Sequence, residues 1–409
     1  MSIRALSGAR LVAIVCAAQV LVQMGAFFWP ALLPRMMPLW GLTNGEAGWI
    51  TAIFYGAYLL AVPVLVTLTD RVDAKLVYLF GVGCTIIGHL LFGLYADGFW
   101  PALATRALTG IGWAGTYMTG LKLLADQVDA RLMSRAVTGH AASIGVSGAL
   151  SFSCAELLAH QYGWQAAFLV AALSAAAAWL VVALAVPRRH SPKRAADAPA
   201  LFDFRPVIRN RSAMAYALAY CVHTLEMSAL RGWAVAFLAF VAIGSEGAQL
   251  SPAVVVTGLG LVGAVASVIG NEVAIRVGRR KLICIAMIGS IVVGGSLGFA
   301  GTISYPVAVG LLLIYGFVVW LDSSSLTAGA AGTAEPAQRG ATLAVHSMLG
   351  YTGGFVGPLL IGFILDWAGG MSRLAWGAAF LAVAALMLLE LAAFWLMRPR
   401  ELAGDRGAA

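Results

Sequence analysis

Charge is what this sequence has least of. Only 11% of its 409 residues are Asp, Glu, Lys or Arg, against 61% hydrophobic, and the mean hydropathy is +0.88. A soluble domain of this length needs a charged surface to stay dispersed, so the composition excludes one and makes a bilayer the implied solvent. Cysteine is also scarce. Cys16, Cys84, Cys154, Cys221 and Cys284 fall one per apolar stretch, with no CxxC and no metal-ligand spacing, so they read as small core residues and no metal site is expected. HExxH, GxSxG, Walker and Rossmann glycine motifs and paired carboxylates at catalytic spacing are all missing. Their absence removes an intramembrane enzyme and ATP binding by this chain from consideration, and no cofactor is expected. The loops are too short to hold the soluble domain of a receptor or scaffold. The first apolar run is too long for a signal peptide and no small-x-small site closes it.

What the chain does have is twelve apolar runs, each of about 20 residues or more, the length that crosses a hydrocarbon core. They lie near 11–33, 47–69, 76–96, 100–124, 136–159 and 164–186, then 212–243, 251–275, 282–301, 304–329, 341–366 and 372–397. Charge placement supports the topology independently, because Lys and Arg in short loops are retained on the cytoplasmic side. With an N-terminus inside, all but four of the 26 basic residues fall on that side: Arg35 and Arg373 lie outside, Arg106 and Arg231 within spans. The net charge of +8 is then a topogenic signal, and no nucleic-acid partner is needed to explain it. Both termini are expected in the cytoplasm, and the chain in a plasma membrane, the bacterial inner membrane in particular.

Residues 187–211 carry Pro187, Pro192, Pro199 and Pro206 among basic side chains, the composition of a solvated connector. It separates a bundle of residues 1–186 from a second of residues 212–409 that ends in a short cytoplasmic tail. The halves repeat each other. WQAAFL at Trp164 to Leu169 recurs as WGAAFL at Trp376 to Leu381, and the charged loop Asp70 to Lys75 (DRVDAK) is answered by Arg276 to Lys281 (RVGRRK). A parallel repeat of six spans is a signature of alternating-access transport.

These features resemble the major facilitator superfamily over essentially the whole chain. The family's G-x-x-x-D-R-x-G-R-[KR] loop motif is met by Asp70, Arg71 and Lys75, with Val66, Asp73 and Ala74 replacing its other positions. The second copy is met by Arg276, Gly278, Arg279 and Arg280, with Ile275 where the acid would stand. Arg106, Gly110, Gly112 and Gly115 fit the family's span-4 motif. The resemblance implies an all-α polytopic membrane protein, twelve transmembrane helices in two pseudo-symmetric six-helix bundles. It also implies a cytoplasmic gate formed by Asp70, Arg71, Lys75, Arg276, Arg279 and Arg280. Glycine spacing in spans 4 and 11 reads first as close helix packing. Span 5 has Gly139, Gly145 and Gly148 but no proline, a departure from the drug exporters of the family.

An ionisable side chain inside a span costs roughly 2.5 to 3.5 kcal/mol on insertion scales, so it persists where a cavity or a partner receives it. Arg106 in span 4 has two readings, a partner for backbone carbonyls of span 1 or an anion contact. Span 7 holds His223, Glu226 and Arg231. At 100° per residue the first two lie about 60° apart on one face, and Arg231 about 140° from Glu226, beyond direct pairing on an unbroken helix. Asp322 and His346 lie at comparable depth in spans 10 and 11, close enough for a carboxylate and a histidine to meet. Gln19 and Gln23 share a face of span 1, and Tyr117 and Tyr315 offer hydroxyls. The expected substrate cavity is therefore Gln19, Gln23, Arg106, Tyr117, His223, Glu226, Arg231 and Tyr315, with Glu226, Asp322 and His346 as proton-coupling candidates. The expected function is secondary transport of a small organic or inorganic anion by alternating access, as a monomer, with protons the candidate coupling ion. The alternative is proton-driven efflux of drugs or amphipathic compounds. Nitrate carriage is disfavoured because spans 2 and 8 contain no arginine.

Overall fold

In a computed structural model the chain is helical throughout the described residues, which are 8–69, 71–188, 204–243, 245, 250–335 and 338–406, without the side chains of residues 130 and 134. The helices are α1 (Gly8–Gln23), α2 (Phe28–Trp40), α3 (Asn44–Leu68), α4 (Ala74–Tyr95), α5 (Phe99–Ala114), α6 (Tyr117–Gln127), α7 (Ala130–Tyr162) and α8 (Trp164–Ala185), followed by a short α9 (Arg205–Arg209). The second series is α10 (Arg211–Ala242), α11 (Pro252–Val277), α12 (Arg279–Ala300), α13 (Tyr305–Leu321), α14 (Ser323–Thr333), α15 (Arg339–Trp367) and α16 (Arg373–Met397). Eleven segments are long and apolar enough to cross a membrane, and α5 with α6 covers the remaining predicted span. The protein is thus an all-α polytopic membrane protein. Helices are the expected solution, since lipid offers backbone N–H and C=O groups no partners.

Three predicted spans are not continuous. Span 1 is interrupted between α1 and α2, span 4 at Gly115 and Thr116, and span 10 at Asp322. Hydropathy sees the apolar run but not the break, because small or apolar residues at the first two breaks, and a single Asp322 at the third, barely change the average over a span.

The chain divides into two compact units, residues 1–32 with 56–198, and residues 33–55 with 199–409. The boundary therefore also cuts through α2 and α3, placing residues 33–55 with the second unit. In the first unit Leu11, Val15, Ala18 and Val22 of α1 pack with Tyr78 and Val82 of α4, Leu123 and Leu124 of α6, and Ala175, Ala178 and Val182 of α8. Helix α4 meets the α5–α6 interruption backbone to backbone: a Cβ on Gly81 would lie 2.6 Å from Gly115 Cα. In the second unit, Tyr216 of α10 packs with Met287 of α12, Leu326 of α14 and Phe394 of α16. There α15 lies directly on α10. A Cβ on Gly353 would collide with the Cys221 carbonyl, and one on Gly357 with that of Leu225. This is the close packing expected of the span-11 glycines. Within the same unit Asp366, at the end of α15, accepts hydrogen bonds from the backbone N–H groups of Asn44 (2.9 Å) and Gly45 (2.7 Å). A carboxylate there satisfies orphan donors and complements the α3 dipole.

The segment after α16 is stitched to the same unit. Arg279 is buried and grips Asp405 with both arms of its guanidinium, Nε to Oδ2 at 2.8 Å and Nη2 to Oδ1 at 3.0 Å. Its remaining nitrogen, Nη1, reaches Asn271 at 3.1 Å. Glu401 accepts from the backbone N–H groups of Arg279 and Arg280 at the start of α12, and the Arg406 N–H donates to the Ile275 carbonyl at 3.0 Å. The acid absent at position 275 is thereby supplied by the tail. Asp405→Ala would leave Arg279 buried without its carboxylate, which costs about 3–5 kcal/mol and should lower the midpoint of thermal denaturation in detergent. The double variant R279M/D405L should recover most of that loss. Equal losses in single and double variants would show that the pair does not hold the tail.

Candidate functional site

The densest polar cluster lies inside the second unit. Helix α10 runs unbroken through residues 211–242 and buries His223 and Glu226 to 1% exposure each. They share a face, as their spacing predicts, but bond to other helices. His223 Nδ1 lies 3.1 Å from Asp322 Oδ1. The Tyr315 hydroxyl of α13 donates to Glu226 Oε1 at 2.7 Å, and Ser290 of α12 lies beside the same carboxyl. Asp322 occupies the N-cap position of α14 without using its side chain as a cap. The break between α13 and α14 thus frees a carboxylate to reach across to α10.

His346 does not meet Asp322, contrary to the sequence-based expectation. Its ring stacks on Tyr220 with centroids 4.0 Å apart, and Nε2 lies 3.2 Å from the Thr327 hydroxyl. The close approach of α15 to α10 places it there. Tyr220 also stacks on His223 at 5.7 Å, so one tyrosine joins the two histidines. Arg231, two turns beyond, lays its guanidinium over Trp320 at 4.8 Å, with Tyr55, Tyr220 and Tyr351 as its further electrostatic neighbours. Glu226 Oε2, His223 Nε2 and His346 Nδ1 are buried with no hydrogen-bond partner among the described residues. Such atoms are costly to leave unpaired, and all three belong to this one cluster. Tyr220, Trp320 and Thr327 escaped the sequence reading. Tyr220 was findable, since it precedes His223 by three residues on the same helix.

The polar residues of the first unit have more settled surroundings. Arg106 is buried and donates to the Ala26 carbonyl at 3.1 Å, in the turn between α1 and α2. Ser151 of α7 accepts from the Phe27 N–H at 3.0 Å in the same turn. Both sides of a backbone interruption are thus satisfied by side chains, the condition under which irregular backbone survives at membrane depth. Of the two readings of Arg106, the carbonyl partner is the one with a visible bond. Gln19 accepts from the Tyr78 hydroxyl at 3.0 Å, while its amide nitrogen and the Gln23 amide oxygen are buried without partners among the described residues. Tyr117 opens α6, and its carbonyl lies 2.9 Å from His140 Nε2.

Of the loop residues expected at a gate, Asp70 lies outside the described residues. Lys75 donates to the carbonyls of Ala183 (2.8 Å) and Val186 (2.6 Å) and so caps the end of α8, the position where a cation complements a helix dipole. Arg279 holds the tail, the Arg280 N–H binds Glu401, and Arg71 and Arg276 are exposed. The described residues contain no cluster of metal-ligating side chains.

A set of mutually bonded ionisable side chains buried in a bundle of membrane-spanning helices is the build of a solute transporter. The model of the Major Facilitator Superfamily matches residues 15–328, and the chain belongs to that family. Protein spinster homolog 1 of Bos taurus and that of Homo sapiens are each 28% identical over 242 residues, covering 56% of this chain and 46% of the relative. The chain thus spans about half the length of these curated relatives. Among solved structures, the nucleoside transporter NupG superposes with a TM-score of 0.77 at 14% identity, covering 95% of this chain and 99% of that one. A bacterial homologue of the human lysosomal transporter Spinster does so with a TM-score of 0.75 at 14% identity, covering 95% and 96%. At such identities the likeness shows the fold. Family and neighbours are transporters, not enzymes.

If Arg106 serves the α1–α2 turn, Arg106→Gln should destabilise the protein by about 1–3 kcal/mol through the unpaired Ala26 carbonyl. The rise in melting temperature produced by a bound solute should be unaltered. Loss of that rise with unchanged stability would make Arg106 a solute contact instead.

Proposed function

We propose that the chain carries a small organic or inorganic anion across the membrane by alternating access of bundles 1–186 and 212–409, with protons as the coupling ion. Both termini and the 187–211 connector lie on the cytoplasmic side of a bacterial inner membrane in this reading. The observation that carries it is Arg231, a cation in the middle of α10 stacked over Trp320 and two turns along the helix from the buried His223. Stacking engages the face of the guanidinium, whereas a carboxylate or phosphate is gripped through its planar edge by paired hydrogen bonds. A cation fixed in this way selects for negative charge.

A thermal-shift screen of purified protein against carboxylates, inorganic anions, sugars and hydrophobic cations identifies the solute class, because a ligand of the folded state raises the melting temperature. Arg231→Lys keeps the charge but loses the fork, so the shift caused by an anion should fall by the equivalent of about tenfold in affinity. Protection by hydrophobic cations and none by anions would overturn the anion reading in favour of export of amphipathic compounds.

Coupling is assigned to Glu226, whose carboxyl is held by the Tyr315 hydroxyl at 2.7 Å. Glu226→Gln mimics the protonated acid. It should abolish accumulation driven by a pH step in proteoliposomes while leaving counterflow exchange of the same solute intact. Accumulation that persists in Glu226→Gln moves the assignment to Asp322 and His346. A wild-type protein indifferent to a pH step removes proton coupling altogether.

A further inference from the structure

At the end of the second unit that carries the tail there is a cavity of about 600 Å³, a size typical of small-ligand sites. Arg209 and Arg211, around the start of α10, line it together with Arg398 and Arg400 beyond α16, and Glu335 is the one acidic residue in the lining. Four arginines and one acidic residue therefore share the lining. None of the four takes part in an ion pair among the described residues. All four are exposed, so salt screens their mutual repulsion, but the cluster still attracts an anion.

The arginines are placed by the fold. Arg211 Nη2 donates to the Leu396 carbonyl at 2.8 Å. The Arg400 backbone is held at both ends, its N–H donating to Ser212 Oγ at 3.1 Å and its carbonyl accepting from the Tyr216 hydroxyl at 2.8 Å. Arg398 ends α16 with φ at 47°, and it is the one non-glycine residue in the left-handed region among the described residues. Helices ordinarily put glycine or asparagine at such a position because other side chains are strained there. Here a strained arginine stands in its place, with its guanidinium 5.6 Å over Trp395. Trp395 and Leu396 are 58% and 62% exposed on the last turn of α16. An exposed tryptophan at the end of a spanning helix marks the level of the membrane interface, the level at which lipid phosphates lie.

We propose that this cavity binds the phosphate of an anionic phospholipid headgroup, with the guanidinium edges of Arg209 and Arg400 on its oxygens. The recognised chemistry is a phosphate ester anion, and the source is the bilayer and not soluble phosphate. The site is separate from the Arg231 cluster and independent of the transported solute.

Native mass spectrometry of the full-length protein with equimolar phosphatidylglycerol and phosphatidylcholine reads the preference directly. Wild type should retain phosphatidylglycerol over phosphatidylcholine by roughly thirtyfold, the scale expected of two arginines at a lipid surface. R209Q/R400Q should lose that preference, and R209K/R400K, which keeps the charge, should retain part of it. R131Q/R135Q removes the same charge from an exposed stretch of α7 and should behave as wild type. Equal loss in R209Q/R400Q and R131Q/R135Q, or no preference in wild type, overturns the site. A melting temperature raised by millimolar inorganic phosphate, with no lipid preference, overturns the lipid as its source.

Discussion

In the second unit the backbones of α10 and α15 run so close that a methyl group at Gly353 or Gly357 would enter the carbonyls of Cys221 and Leu225. No other residue type permits that approach. Helices in lipid associate through van der Waals contact and hydrogen bonds rather than by escaping water, so proximity of this kind is itself the stabilising interaction. The polar cluster depends on it. It brings His346 of α15 onto the ring of Tyr220, and it lets the Thr224 hydroxyl reach the Gly350 carbonyl. The Trp233 indole likewise reaches the Pro358 carbonyl at 2.9 Å. A glycine stripe of this sort acts on chemistry at one remove, by setting how near the chemically active side chains of two helices can come.

The interruptions of span 1 and span 10 work in a complementary way. Each breaks the helical ladder where the surroundings can receive the freed groups: Arg106 and Ser151 at the turn between α1 and α2, and the Asp322 carboxylate released toward His223. At an ordinary helix start an acid in the N-cap position spends its oxygens on the first-turn N–H groups. Asp322 does not, and so its charge is available in the interior of the unit.

What could be read from residues alone follows from the range of each signal. Apolar runs, basic loops and the two-fold repeat are local patterns, and they specify the class of fold. The same signals also picked out His223, Glu226, Arg231, Tyr315, Asp322 and His346, because an ionisable residue in an apolar run is conspicuous. Pairing was not readable in this way. Helical spacing can say that His223 and Glu226 share a face, but the choice of Asp322 for the one and Tyr315 for the other is made by packing between helices distant in sequence. Lys75 shows the same limit, since its loop motif pointed to a gate while its ammonium caps α8. Glu401 and Asp405 carry no local signal of their own, since they lie in a short tail beyond the last span. The missing acid at Ile275 was the one clue that Arg279 takes its partner from elsewhere.

The clasp between Arg279 and Asp405 also bears on biogenesis. The two residues are separated by 126 positions, and four membrane-spanning segments must be made and inserted before the second of them leaves the ribosome. Until then the guanidinium has no carboxylate to hold, and the start of α12 lacks the Glu401 cap. The loop between α11 and α12 therefore reaches its final form only after the last span is in place. Synthesis of the segment after α16 and closure of the second unit become a single late event, and until then α12 starts uncapped with an unpaired guanidinium.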